Sequence, residues 1–249
     1  MTKRILDIVD MQNDFMDPKG ALYVQDAETI IPKANAFLAG VQKGDFDLAL
    51  VKFDTHFEES YDKNPESELF PPHCIFDSWG WKMAVDLPND FAAKVPVFKM
   101  TKNVFNMWAA KPDIKGVKFA NTFNKRAYKK LFKTDGKARD KFMKQHKVGA
   151  GSEVVMMGVA SDYCVHDAME GYLKRGAKVI VLSDLVKGIG TDVPGRALSG
   201  TIEDVVKLDV FKPYVEKGQL VVMTSDEFKA EMRKEAKNVT RPKNMRRPA

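Results

Sequence analysis

Short apolar runs rich in β-branched residues recur along the chain, at Arg4–Asp10, Asp47–Phe53, Pro96–Met100, Glu153–Val159, Lys178–Leu182 and Gln219–Met223. Stretches with helical spacing of apolar positions separate most of them: Glu28–Val41, Tyr163–Lys174, Ala197–Leu208 and Asp226–Lys237. Strands without polar alternation, spaced by helices, indicate a sheet buried on both faces. The pattern predicts one α/β domain over residues 1–240, doubly wound, with a six-stranded mainly parallel sheet and helices on both faces. Two more amphipathic stretches, Asn121–Phe132 and Asp135–His146, fall between the third and fourth strands and predict a helical insertion at about 111–148. The last nine residues, RPKNMRRPA at 241–249, hold two prolines and little to bury, so this basic tail is expected to be disordered.

Charge sharpens the division. The 249 residues carry a net +6, but 13 Lys/Arg face 3 Asp over 111–147, and 8 face 2 Glu over 228–249. The positive character therefore belongs to the insertion and the C-terminal end, and the remaining core is acidic. The insertion reads first as a solvated cationic cap. Polyanion contact is the other reading of such density, although the absence of an aromatic platform or Gly-rich cradle argues against a nucleic-acid module. No run approaches the roughly 20 apolar residues of a membrane helix. The opening MTKRILDIVD contains no apolar signal region, so a cytoplasmic protein without membrane contact is expected. The only cysteines, Cys74 and Cys164, form no CxxC pair, which excludes a disulfide framework and a cysteine-built structural zinc site.

In doubly wound sheets ligands gather at the carboxyl ends of the strands. Asp10, Asp54, Lys99 or Lys102, and Cys164 all fall there. Cys164 lies in GVASDYCVHDAMEGYLKRG (158–176), where a buried strand ends, a tight turn follows and a helix begins. The helix dipole and free N–H groups at such a position favour a thiolate and could hold an oxyanion. The plain alternative is a small buried helix residue.

Four segments in order resemble the isochorismatase-like cysteine hydrolases, and among them the nicotinamidase/pyrazinamidase branch. IVDMQNDF (8–15) is similar to that family's opening strand, whose catalytic aspartate matches Asp10. FDTHF (53–57) and FPPHC (70–74) resemble its metal motif, an Asp-x-His followed 19 residues after the Asp by a His-Cys pair. TKNVFNMW (101–108) resembles the segment in which a catalytic lysine precedes an aromatic turn, and GVASDYC resembles the nucleophile loop, where a cis peptide would join Val159 to Ala160. LSDLVKGI (182–189) also fits, whereas the insertion and tail lie outside the likeness.

The resemblance implies Asp10, Lys102 and Cys164 as the catalytic group, with Lys99 the alternative lysine, and the amides of Ala160 and Cys164 as the oxyanion hole. It implies one divalent metal on Asp54, His56 and His73. Zinc is the first choice, and iron and manganese also suit two histidines and a carboxylate. The metal would bind a pyridine ring nitrogen while Cys164 forms a thioester acyl-enzyme, so that nicotinamide is deamidated to nicotinic acid and ammonia. A homo-oligomer acting on a small-molecule amide is implied as well.

Phe15 and Phe70 are candidates for the walls of a flat substrate pocket, or for core packing. Cys74 reads as buried, His166 as a helix-surface residue and His146 as part of the cap. Phe70 stands where nicotinamidases often have tryptophan. That leaves open another small amide or ureido substrate and, from a different class, a non-catalytic polyanion- or protein-binding module on the same fold.

Overall fold

Six apolar runs become the strands β1 (Lys3–Val9), β2 (Leu48–Asp54), β3 (Val97–Lys102), β4 (Ser152–Val159), β5 (Lys178–Lys187) and β6 (Leu220–Met223) in a computed structural model that describes residues 2–109, 118–119, 121–132 and 135–240. They form one sheet in the order β3-β2-β1-β4-β5-β6, with every pairing parallel. All seven residues of β2 and all eight of β4 are buried, which is why these strands show no polar alternation. The order reverses between β1 and β4. In such sheets the crevice beyond the carboxyl ends opens at this reversal.

Most helical stretches fold as their spacing predicts. Pro32 sits in the first turn of Ile31–Ala39, where its missing N–H costs nothing. Cys164–Lys174 turns nine of its eleven residues inward, and Ser225–Thr240 closes the described chain. One expectation fails: only Ile202–Val205 of the stretch Ala197–Leu208 is helical. Gly200 takes a left-handed φ of +68°, which interrupts any helix entering from Ala197. Ala197, Ile202 and Val205 are nonetheless buried, so the apolar spacing reflects an inward-facing loop.

The insertion contributes the helices Thr122–Phe132 and Asp135–Gln145, and it packs on the edge of the sheet. Tyr128 and Phe119 place their rings 5.4 and 6.1 Å from Phe57, just beyond β2, while Phe142 and His146 lie 5.1 and 4.7 Å from Phe98 of β3. The expected tail, 241–249, lies outside the described residues. Among the described residues no helix is long and apolar enough to cross a membrane.

Two features fix the centre. Gly158 has φ +124° beside a register shift between β4 and β5, and a Cβ there would stand 2.0 Å from the Val9 carbonyl oxygen. Only glycine lets β4 lie this close to β1. Beneath the helix Cys164–Lys174, Lys52 reaches Asp7 at 2.7 Å, both fully buried, and its ammonium lies 5.0 Å from the Tyr172 ring centroid. Burial pushes the Asp7 carboxyl up and Lys52 pulls it back.

Breaking a buried pair on one side leaves an uncompensated charge, at a cost of about 3–5 kcal/mol. Lys52→Met is expected to lower stability by that amount in urea unfolding, and Asp7→Leu added to it should restore most of the loss. A cost below about 1 kcal/mol for Lys52→Met would contradict this reading of the pair.

Candidate active site

Each strand end at the switch point delivers one polar group. Asp10 follows β1 with φ +49°, Asp54 ends β2, Lys102 ends β3 directly opposite Asp54, and Cys164 follows the turn after β4. The Lys102 ammonium joins them: 2.7 Å to Asp10 Oδ2, 3.4 Å to Asp54 Oδ1 and 3.4 Å to Cys164 Sγ. All four residues are buried. Desolvation pulls the Lys102 pKa down, but Asp10 and Asp54 outweigh it and hold it well above the ordinary lysine value. Lys99 is exposed, with its ammonium over the Phe53 ring, so Lys102 is the lysine that the fold brings to the sulfur.

Cys164 differs from the thiolate that its helix position suggests. Burial pushes the thiol well up, Lys102 pulls it down, and the neighbouring carboxylates Asp10 and Asp54 push it up again. Burial thus works against ionisation of this thiol, and the Asp10 carboxyl stands on the same Lys102 ammonium as the sulfur. The peptide Val159–Ala160 is cis, as the nucleophile-loop likeness implies. Among the described residues no acceptor pairs with the backbone N–H of Ala160 or Cys164, which leaves both available to an oxyanion.

Beside this group Asp54, His56, Glu66 and His73 place ligand atoms within 4.8 Å of one another, all four buried. A parallel bridge between His56 and Ile75 folds the loop over, bringing His73 to His56. Asp14 secures that loop by accepting the Cys74 N–H at 2.6 Å, and Gln12 ties the end of β1 to β2 through the Asp54 backbone at 2.7 and 2.9 Å. His73 Nδ1 lies 2.8 Å from the Pro71 carbonyl oxygen, which can only accept, and its Nε2 is turned to Asp54 Oδ2 at 3.1 Å. Both Glu66 oxygens are buried without a hydrogen bond, with His56 Nε2 at 3.3 Å and His73 Nε2 at 3.6 Å. Burial resists charge on His56, yet Asp54 and Glu66 raise it to about 9, so the carboxylates draw positive charge into this spot. The set fits one divalent ion.

Glu66 lies within 57–72, where the sequence holds no further histidine; a carboxylate there had no spacing signal to mark it. The aromatic residues divide. Phe15 is buried with its ring 5.4 Å from His73, so it backs a metal-site histidine. Phe70 is half-buried and meets Phe105 and Tyr163 edge-on at 5.3 and 5.6 Å. Phe105 lies parallel to His73 at 6.3 Å. Phe105 and Tyr163 thus complete an aromatic wall of which the sequence suggested only Phe70. Cys74 is buried, as expected. His166 is not on the helix surface: it is buried against Phe211, with Nδ1 2.9 Å from Asp167.

No family model matches the chain. It is similar to the nicotinamidase of Saccharomyces cerevisiae, at 26% identity over 213 residues, 76% of this chain and 90% of the relative. It is also similar to the nicotinamidase/pyrazinamidase of Mycobacterium tuberculosis, at 27% over 198 residues, 78% and 92%. Among solved structures, the pyrazinamidase of Pyrococcus horikoshii in complex with zinc superposes with a TM-score of 0.56 at 24% identity, covering 89% of this chain and 99% of that one; it shows the shared fold.

One tightly held divalent ion per chain is expected by elemental analysis. Glu66→Gln should weaken its retention against a chelator by at least about 10-fold while the protein stays folded. Retention equal to wild type would remove Glu66 from the ligand set.

Proposed function

We propose that the chain belongs to the isochorismatase-like hydrolases, in their nicotinamidase/pyrazinamidase branch, and that it hydrolyses nicotinamide to nicotinic acid and ammonia with Cys164 as nucleophile. The observation that carries this is the Lys102 ammonium within 3.4 Å of the Cys164 sulfur and 2.7 Å of Asp10. Nucleophile, base and counter-charge meet at one point with an oxyanion hole beside them.

Asp10 takes the Sγ proton as sulfur attacks the carboxamide carbon, and the N–H groups of Ala160 and Cys164 hold the resulting oxyanion. Collapse of this intermediate breaks the C–N bond while Asp10 passes its proton to the leaving nitrogen, which departs as ammonia. The acyl group then rests on Cys164 as a thioester. Water attacks that carbonyl and gives a proton to Asp10; the C–S bond breaks, and the sulfur recovers the proton. Through both halves Lys102 offsets charge that alternates between Asp10 and the sulfur.

The divalent ion held by Asp54, His56, Glu66 and His73 would supply a Lewis-acid anchor for the ring nitrogen. Phe70, Phe105 and Tyr163 suit a flat ring by shape and by stacking. A cytoplasmic location and an assembly of identical copies belong to the same proposal, the second resting on the family resemblance.

Ammonia release from nicotinamide by the metal-loaded protein is the test. Turnover should vanish in Cys164→Ala, fall on chelation and return when metal is restored. Folded, metal-loaded protein that releases no ammonia from nicotinamide would overturn the substrate assignment.

A further inference from the structure

Six residues after Lys102 the chain reaches Trp108, and the segment between them carries Phe105 of the aromatic wall. Trp108 is gripped from the side of the nucleophile helix. Its Nε1–H is 3.0 Å from the Asp167 carbonyl and 3.3 Å from that of Ala168, in the first turns of the helix that begins at Cys164. Gly171 makes the room, since a Cβ there would lie 1.8 Å from Nε1, and Tyr172 meets the indole edge-on at 5.2 Å. The Arg175 guanidinium stacks on the ring at 3.7 Å.

The insertion holds the same segment from the other side. Arg139, in the helix Asp135–Gln145, donates from Nη1 to the Met107 carbonyl at 2.5 Å, and its guanidinium lies 5.6 Å from the Trp108 ring. Two cations thus share one indole, and Asp140, 3.0 Å from Arg139 Nε, offsets part of the charge. Phe142 on the same helix packs on β3, the strand that ends in Lys102. The insertion thereby reaches both the strand before Lys102 and the loop after it. A sheet-edge strand has a neighbour on one side only, so Lys102 depends on such outside support.

We propose that Arg139 is a positioning residue: it holds the loop 103–108 against the nucleophile helix and so sets the separation of the Lys102 ammonium from the Cys164 sulfur. The proposal rests on the roles given above to Lys102 and Cys164, and it assigns the insertion to the reaction through this one contact. Misplacement by about 1 Å can cost on the order of 100-fold in rate.

Two readouts test it on the intact, metal-loaded protein: the rate at which iodoacetamide alkylates Cys164, mapped by peptide mass spectrometry, and kcat for ammonia release from nicotinamide. Arg139→Ala is expected to lower both by about 10-fold or more, with metal content unchanged. Arg139→Lys, which keeps a cation and a donor, should recover to within about threefold of wild type. The exposed Lys129→Ala should match wild type, which separates this contact from the general basicity of the insertion. Wild-type alkylation and kcat in Arg139→Ala would overturn the proposal. Should Arg139→Ala fail to fold, Trp108→Phe keeps a ring and loses the Nε1 donor. Alkylation slowed about threefold or more there supports the strap, and an unchanged rate overturns it. If the wild type does not turn over nicotinamide, the substrate assignment fails, and the alkylation comparison still decides this proposal.

Discussion

A lysine ammonium buried between two carboxylates and a sulfur is the constraint on which this architecture turns. Burial works against the charge on Lys102, and the neighbouring Asp10 and Asp54 outweigh it and hold its pKa well above the ordinary lysine value. The parallel sheet makes the meeting possible because β1, β2, β3 and β4 all end on one side. Asp54 belongs to both halves of the site, 3.4 Å from Lys102 and 3.1 Å from His56 and His73. The metal group and the nucleophile group therefore share one electrostatic balance. Asp10 and Asp54 stand on one lysine, and Asp54 and Glu66 gather with the two histidines where a divalent ion can offset the remaining charge.

Much of this was legible in the chain because burial on both faces writes a plain signal. The strands stand within a few residues of their apolar runs, except that β5 continues to Lys187, five residues past Leu182. Polar residues just beyond apolar runs pointed to Asp10, Asp54, Lys99 or Lys102, and Cys164, because ligands gather at the carboxyl edge of such a sheet. What the sequence hid depends on loop geometry. Glu66 is a carboxylate in a polar loop, and only the fold of residues 57–73 turns it inward. Phe105 and Tyr163 read as ordinary aromatics until the turns after β3 and β4 face each other. Ala197–Leu208 misled because a loop pressed on the core repeats apolar residues much as a helix does. His166 misled because a polar residue in a helix is usually exposed, whereas here Asp167 partners its Nδ1 and Phe211 packs on its ring.

The nucleophile loop is secured on its other side by the segment after β5. Asp162 accepts the N–H groups of Ile189 and Gly190 at 3.1 and 2.8 Å. Arg196 pairs with Asp167 at 2.8 Å and lies 4.9 Å from the Tyr163 ring. The helix carrying Cys164 is thus held from both flanks, by Arg196 on one and by Trp108 with Arg139 on the other. A side chain fixed this way, in the proposed role of nucleophile, loses little entropy when substrate arrives. The uneven charge has a matching structural division: an acidic core assembles the site, and the basic insertion braces its edge strand.

The account stands or falls on Lys102, and the direct measurement is kcat/KM for nicotinamide in Lys102→Met with metal content measured on the same sample. With Lys102 as the counter-charge for Asp10 and the sulfur, kcat/KM should fall by about 100-fold or more, while the protein stays folded and retains its ion. Activity within a few-fold of wild type in a folded, metal-loaded Lys102→Met protein would contradict it, and would make the ammonium at the centre of the site a structural ion alone.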